Sequence, residues 1–171
     1  MNGHLGEKHL RLFVTAMAAA LVFTGALAIQ AAAESAAKGQ DKGGCPWTVD
    51  IEDLTKDNEH FRQAHWTGEN LQMTVMSLKP GEEIGLETHT ELDQFIRIEE
   101  GQGRVFMGKE KDQLDFEREV SDDWALFIPA GYWHNVMNTG DEDLKLYTIY
   151  APPEHPAGTV HKTPEDDPHH H

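Results

Sequence analysis

What most limits the fold of this chain is the recurrence of turn signals through its second half. Lys79-Pro80-Gly81, Glu100-Gly101-Gln102-Gly103, Pro129-Ala130-Gly131 and Thr139-Gly140-Asp141 break the chain at short intervals. Between them stand only brief apolar or alternating runs, at residues 71–78, 95–98, 104–107, 125–128, 135–137 and 144–150. Runs this short, punctuated by Gly and Pro, predict antiparallel strands closed into a sandwich or barrel. Residues 52–64 are the one sizeable candidate for a helix or irregular lead-in. At 171 residues the chain has room for a single domain of this kind.

The two ends read differently. Lys8 and Arg11 precede an uncharged stretch, residues 12–29, and Ala31-Ala32-Ala33 follows with the small residues a signal peptidase needs. Residues 1–33 are therefore expected to be a signal peptide cleaved before Glu34. The rival reading is an uncleaved anchor, although the stretch is Ala-rich and at the short end of what spans a bilayer. Residues 34–46 are small, polar and Gly-rich and read as a linker, 47–151 as the folded domain, and 152–171 as a Pro-rich tail. Each proline removes a backbone donor, so the tail is expected to wrap the barrel irregularly and then fray rather than extend a sheet. The expected location is periplasmic or secreted. Cys45 has no second cysteine to pair with, so stability must come from the core. A formal charge of -16 repels phosphate backbones and anionic lipid, which argues against a nucleic-acid partner and, after cleavage, against a membrane one. The chain has no phosphate-binding loop, no dinucleotide glycine fingerprint and no serine elbow.

The chemistry concentrates in two segments. In the first, Glu87 and His89 are two residues apart, which on a strand puts both on one face. Gln94 shares a face with Ile96 and Ile98, while Phe95, Arg97 and Glu99 point the other way. A polar amide in register with buried isoleucines is costly unless something binds it. In the second, residues 124–138 run apolar into a Pro-x-Gly turn and then present His134. One carboxylate and two imidazoles make a set suited to Fe(II), Mn(II), Ni(II) or Zn(II), with coordination positions left open. Met73, Phe127, Tyr132, Trp133 and Tyr147 are candidate pocket walls, and the tail could carry His155 or His161 over the barrel mouth.

Together the segments resemble the two motifs of the cupin superfamily. The first family pattern is Gly, five residues, His-x-His, three or four residues, Glu, six residues, Gly. Here Gly81, Glu87-x-His89, Gln94 and Gly101 keep its spacing, with Glu87 at the first His position and Gln94 at the Glu position. The second, Pro-x-Gly, two residues, His, three residues, Asn, is matched by Pro129, Gly131, His134 and Asn138, but Trp124 stands where the family has an earlier Gly. The resemblance covers about residues 73–150 and implies an all-β, single-domain jelly-roll barrel with one divalent metal ion inside, held by Glu87, His89, Gln94 and His134. Gln94 stands open as a direct ligand or as a hydrogen-bond partner of what the metal binds. The set is similar to that of type I phosphomannose isomerases.

Three functions fit these residues. The first is a metal-dependent enzyme acting on a small molecule, of isomerase or dioxygenase type. The second is a non-catalytic barrel that binds a small ligand with a structural or ligand-holding metal. The third is a barrel without metal. Single-domain cupins commonly pair, and open sheet edges need cover, so a homodimer is expected.

Overall fold

The structure is a computed structural model that describes residues 41–168. The expected signal peptide, most of the expected linker and His169–His171 lie outside these residues. Among the described residues, ten strands form two antiparallel sheets. The larger has six strands in the order β10 (Val160–His161), β1 (Arg62–Thr67), β2 (Gln72–Leu78), β9 (Leu144–Ala151), β4 (Asp93–Glu100) and β7 (Ala125–Ile128). The smaller has four, β3 (Glu87–Thr88), β8 (Trp133–Asn138), β5 (Gln102–Gly108) and β6 (Phe116–Ser121). All six runs anticipated from sequence are strands.

Side-chain alternation divides the barrel interior into two levels. Leu78, Met76, Leu144, Leu146, Ile98, Val105 and Val136 fill one end with hydrocarbon. Toward the other end the same strands turn polar: Gln72 lies opposite Tyr150 and Thr74 opposite Thr148, and Gln94 is the other neighbour of Tyr150. All five are buried. A two-level interior of this sort anchors the barrel at one end and gathers buried polar side chains at the other.

Four expectations need correction. The lead-in at 52–64 is not one helix: α1 covers Ile51–Lys56 and β1 begins at Arg62. Asp50 caps the helix, accepting from Asp53 N at 3.3 Å, and the buried Phe61 and inward Arg62 and Ala64 then impose strand geometry. The expected linker is docked from Asp41 onward: its carboxylate accepts from Thr67 N at 3.0 Å, Thr67 Oγ1 at 2.6 Å and Gly158 N at 2.9 Å. The tail does extend a sheet, because β10 falls between Pro156 and Pro164, where donors are intact, and pairs with β1. Nor does it fray by Asp167, which is buried and ion-paired with Arg62.

Two turns explain the glycine pattern. Gly101 adopts φ 91, and a Cβ there would meet Asp143 O at 2.7 Å, so both conformation and space exclude larger residues. Where the second motif lacks its early glycine, Asp123 takes the left-handed conformation instead, at φ 71. Asp is among the few residues that tolerate this region, and here Arg97 pairs with its carboxylate. Trp124 is thereby released to an exposed position.

Asn138 closes the second motif with a purely structural role. Its amide nitrogen donates to Leu78 O and Glu142 O, both at 2.8 Å, and its oxygen accepts from Gly140 N at 2.9 Å. Replacing it with Ala leaves carbonyls of two connections unpaired, one of them buried. At about 1–3 kcal/mol for each unsatisfied buried group, Asn138→Ala should lower unfolding stability in urea by about 2 kcal/mol or more. A midpoint unchanged from wild type would contradict this role.

Candidate metal centre

Glu87 and His134 face each other across the β3–β8 ladder, as Cα partners. His89 follows Glu87 by two residues, and its carbonyl accepts from Gly131 N at 2.7 Å, which ties the Glu87–His89 segment to the Pro-x-Gly turn. Asp93 secures the same turn by accepting from Ala130 N at 2.9 Å. As a result the ligand atoms of Glu87, His89 and His134 all lie within 4.8 Å of one another.

The protonation pattern of this cluster suits a cation. His134 is fully buried, and its Nδ1 lies 3.1 Å from Tyr132 O. A carbonyl can only accept, so Nδ1 carries the proton and Nε2 presents a lone pair. That lone pair faces Glu87 Oε1 at 3.3 Å with no well-formed hydrogen bond. Two electron-rich atoms this close, out of water, repel each other unless a positive charge lies between them. His89 Nε2 points at the same oxygen from 3.4 Å, and its Nδ1 lies 3.5 Å from Glu154 Oε1. Burial opposes charge on His89, but the hydrogen bond and charge of Glu87, with the charge of Glu154, outweigh it and raise its pKa. Burial likewise opposes ionisation of Glu87, yet the adjacent imidazoles of His134 and His89 and the positive field of Arg62 hold its carboxyl far below the usual range.

Gln94 lies on the inner face as expected, 3% exposed. Its amide nitrogen donates to Thr148 Oγ1 at 3.2 Å, while its carbonyl oxygen is buried without a partner. An unmatched buried acceptor is costly, and it marks a place for a cation, a water or a ligand donor. The donor chemistry of all four residues therefore fits the divalent ion that the sequence suggests.

Several expected wall residues lie elsewhere. Phe127 is 74% exposed and stacks edge-on against Phe95 on the outer sheet face, and Tyr147 packs beside them. Met73 shares that outer side through its pairing with Ile149. Trp133 and Tyr132 lie beneath the ammonium groups of Lys111 and Lys109. The aromatic wall is instead Tyr150, whose ring meets His89 at 5.8 Å and His155 at 5.1 Å. The tail does approach the site. Gln72 fixes it by donating to His155 O at 2.8 Å and accepting from His155 N at 2.9 Å. This brings in Glu154, which sequence reasoning missed because nothing in a proline-rich tail marks one carboxylate for a histidine over sixty residues away.

The family model described as "Cupin domain" matches residues 74–150. The chain is 58% identical over 127 residues to the uncharacterized protein YrkC of Bacillus subtilis, covering 74% of this chain and 68% of that one. It is 39% identical over 115 residues to the uncharacterized protein L612 of Acanthamoeba polyphaga mimivirus, covering 67% and 70%. The crystal structure of BH2720 from Bacillus halodurans is similar at 60% identity with a TM-score of 0.72, covering 72% of this chain and 94% of that one.

Because protons and metal compete for the same nitrogen lone pairs, metal affinity should rise with pH. The raised pKa of His89 strengthens that competition on the acid side. Titrating Zn(II) or Mn(II) at about pH 5 and about pH 8, either side of an ordinary imidazole pKa of about 6.5, should show tighter binding and proton release at the higher pH. Equal affinity at both would place the histidines outside the coordination sphere.

Proposed function

Because this chain belongs to the cupin superfamily, we propose that it is a metal-dependent enzyme acting on a small molecule, by isomerase or dioxygenase chemistry. The observation that carries this reading is the convergence of Glu87, His89 and His134 on one point, with the buried Nε2 of His134 left without a hydrogen bond there. These residues would hold one ion of the Fe, Mn, Ni or Zn class, and Gln94 supplies either a fourth oxygen donor or a hydrogen bond to what the ion binds. A three-ligand divalent ion with open positions acts as a Lewis acid toward a substrate oxygen or as a site for dioxygen. The chain's own contribution is orientation. The Tyr132 carbonyl fixes the tautomer of His134, Glu154 borders the outer nitrogen of His89, and such neighbours tune ligand basicity.

The reading extends to place and assembly. The Lys8–Ala33 segment supports export to the periplasm or outside the cell, after cleavage before Glu34. A second copy of the chain is the proposed partner, seated on the outer face of the edge strand β7. There Phe127, Phe95 and Ile149 line a shallow groove of about 340 Å³.

Protein lacking His169–His171 should carry close to one transition-metal ion per chain in elemental analysis, and His134→Ala should lose it, because two remaining protein ligands hold such an ion poorly against buffer. Full occupancy in that variant would remove His134 from the centre. Sedimentation of the exported form should show a dimer that Phe127→Asp converts to monomer, and its mass should begin at Glu34. A wild-type monomer at micromolar concentration sinks the dimer, and an intact Met1 in the membrane fraction sinks the cleavage.

A further inference from the structure

Beside the metal cluster, the barrel buries an arginine. Arg62 is 1% exposed and belongs to the inner face of β1, where its Cα partners are Met76 and His161. Its Nη1 pairs with Asp167 Oδ2, which explains how a charge this far from water is tolerated. That contact uses only one corner of the guanidinium. Nε and Nη2 are both buried and make no hydrogen bond. These two nitrogens form the side-on fork of the group, the edge whose parallel N–H bonds match the two oxygens of a carboxylate. If Arg62 served only to fasten the tail, leaving this fork unsatisfied would cost stability without return.

Arg62 enters the interior opposite Met76, next along β1 from the Ala64–Thr74 pair, and its charge acts on Tyr150 and Glu87 in the polar end. Tyr150 touches His89 on one side and His155 on the other. His155 stacks edge-on with His161 at 6.4 Å, and His161 Nδ1 lies 3.5 Å from the Asp167 oxygen that Arg62 holds. The charge of Arg62 reaches Glu87, His89 and Tyr150. Further unmatched groups accompany it: Thr74 Oγ1 and His155 Nε2 are buried without partners. Four unsatisfied polar atoms in one region mark a place where a polar ligand belongs.

We propose that Arg62, with the Thr74 hydroxyl beside it, is the carboxylate-binding half of the substrate site, so that the substrate is a small organic acid bound by its carboxylate at Arg62 and by a second oxygen at the metal. This assignment rests on the metal reading above for its second contact only. The charges are consistent with it. A divalent ion and Arg62 against Glu87 and Asp167 leave one positive charge uncompensated, which one carboxylate neutralises; Glu154 stands a third exposed at the rim, where water screens it. A single fork suits a singly charged planar anion better than a phosphate dianion.

The test uses the full chain, Zn(II)-loaded, with glycolate as the probe and its neutral amide, glycolamide, as the control of equal size. Isothermal titration should give glycolate at least about tenfold tighter than glycolamide, the ratio expected for charge-assisted hydrogen bonds. It should also give glycolate tighter than inorganic phosphate. Arg62→Lys, which keeps the charge but not the fork, and the charge-balanced double variant Arg62→Met with Asp167→Asn should each lose that preference while holding the same zinc content. Wild-type protein that binds glycolate and glycolamide alike, or binds neither, overturns the subsite without recourse to any variant. So does an undiminished preference in folded Arg62→Lys, and a preference for phosphate overturns the carboxylate assignment. Zinc content is read separately: wild type that takes up no zinc defeats the metal reading, and a tenfold glycolate preference in that same protein would still support the Arg62 fork.

Discussion

The cross-strand pairing of Glu87 with His134 is the contact on which the rest of this site depends. β3 is only two residues long, so its own ladder supplies little to hold it. Its register is borrowed from neighbours. Ile84 N donates to Val136 O at 2.9 Å, Asn135 Oδ1 accepts from Gly85 N at 3.2 Å, and the Gly131–His89 bond closes the far side. A slip of one residue would turn Glu87 outward and replace it with a neighbour from the opposite face. The site's precision therefore comes from the loops before and after the strand more than from the strand itself.

The same logic explains what could be read from sequence. β2, β5, β8 and β9 announce themselves because apolar residues alternate and Gly or Pro breaks them. β6, with sequence FEREVS, does not: it is the exposed edge of the smaller sheet, and only Val120 of its side chains is buried. β1 is hidden for the opposite reason. Its inward positions are Arg62 and Ala64, and an arginine reads as solvent-facing until its partner is known. That partner, Asp167, lies 105 residues along the chain, beyond the reach of any local pattern. The candidate cluster of Glu87, His89 and His134 was legible because two spacings coincide, whereas Tyr150, Glu154 and Arg62 enter through pairing and tail docking, which spacing does not encode.

Polar residues inside this barrel are organised by what they leave open as much as by what they bind. Asn138 uses both ends of its amide and is finished as a structural element. Gln94 uses one end, Arg62 one corner, and His134 one ring nitrogen. All are buried, so solvent contact does not account for the difference. Incomplete hydrogen bonding at one level of an otherwise satisfied interior is how a packed barrel keeps capacity for a guest.

Gln72 carries a consequence for which sequences can encode this protein. It grips the tail from both sides, giving a proton to one backbone carbonyl and taking hydrogen bonds from two backbone N–H groups, those of Glu154 and His155. Only a carboxamide offers a donor and an acceptor on one rigid plane, and among the natural residues of this length only glutamine has it. Glutamate would repel the carbonyl, and lysine would abandon the N–H groups. Position 72 is thus narrowly restricted although it coordinates nothing. The family of sequences able to maintain this centre is smaller than its ligands alone would indicate.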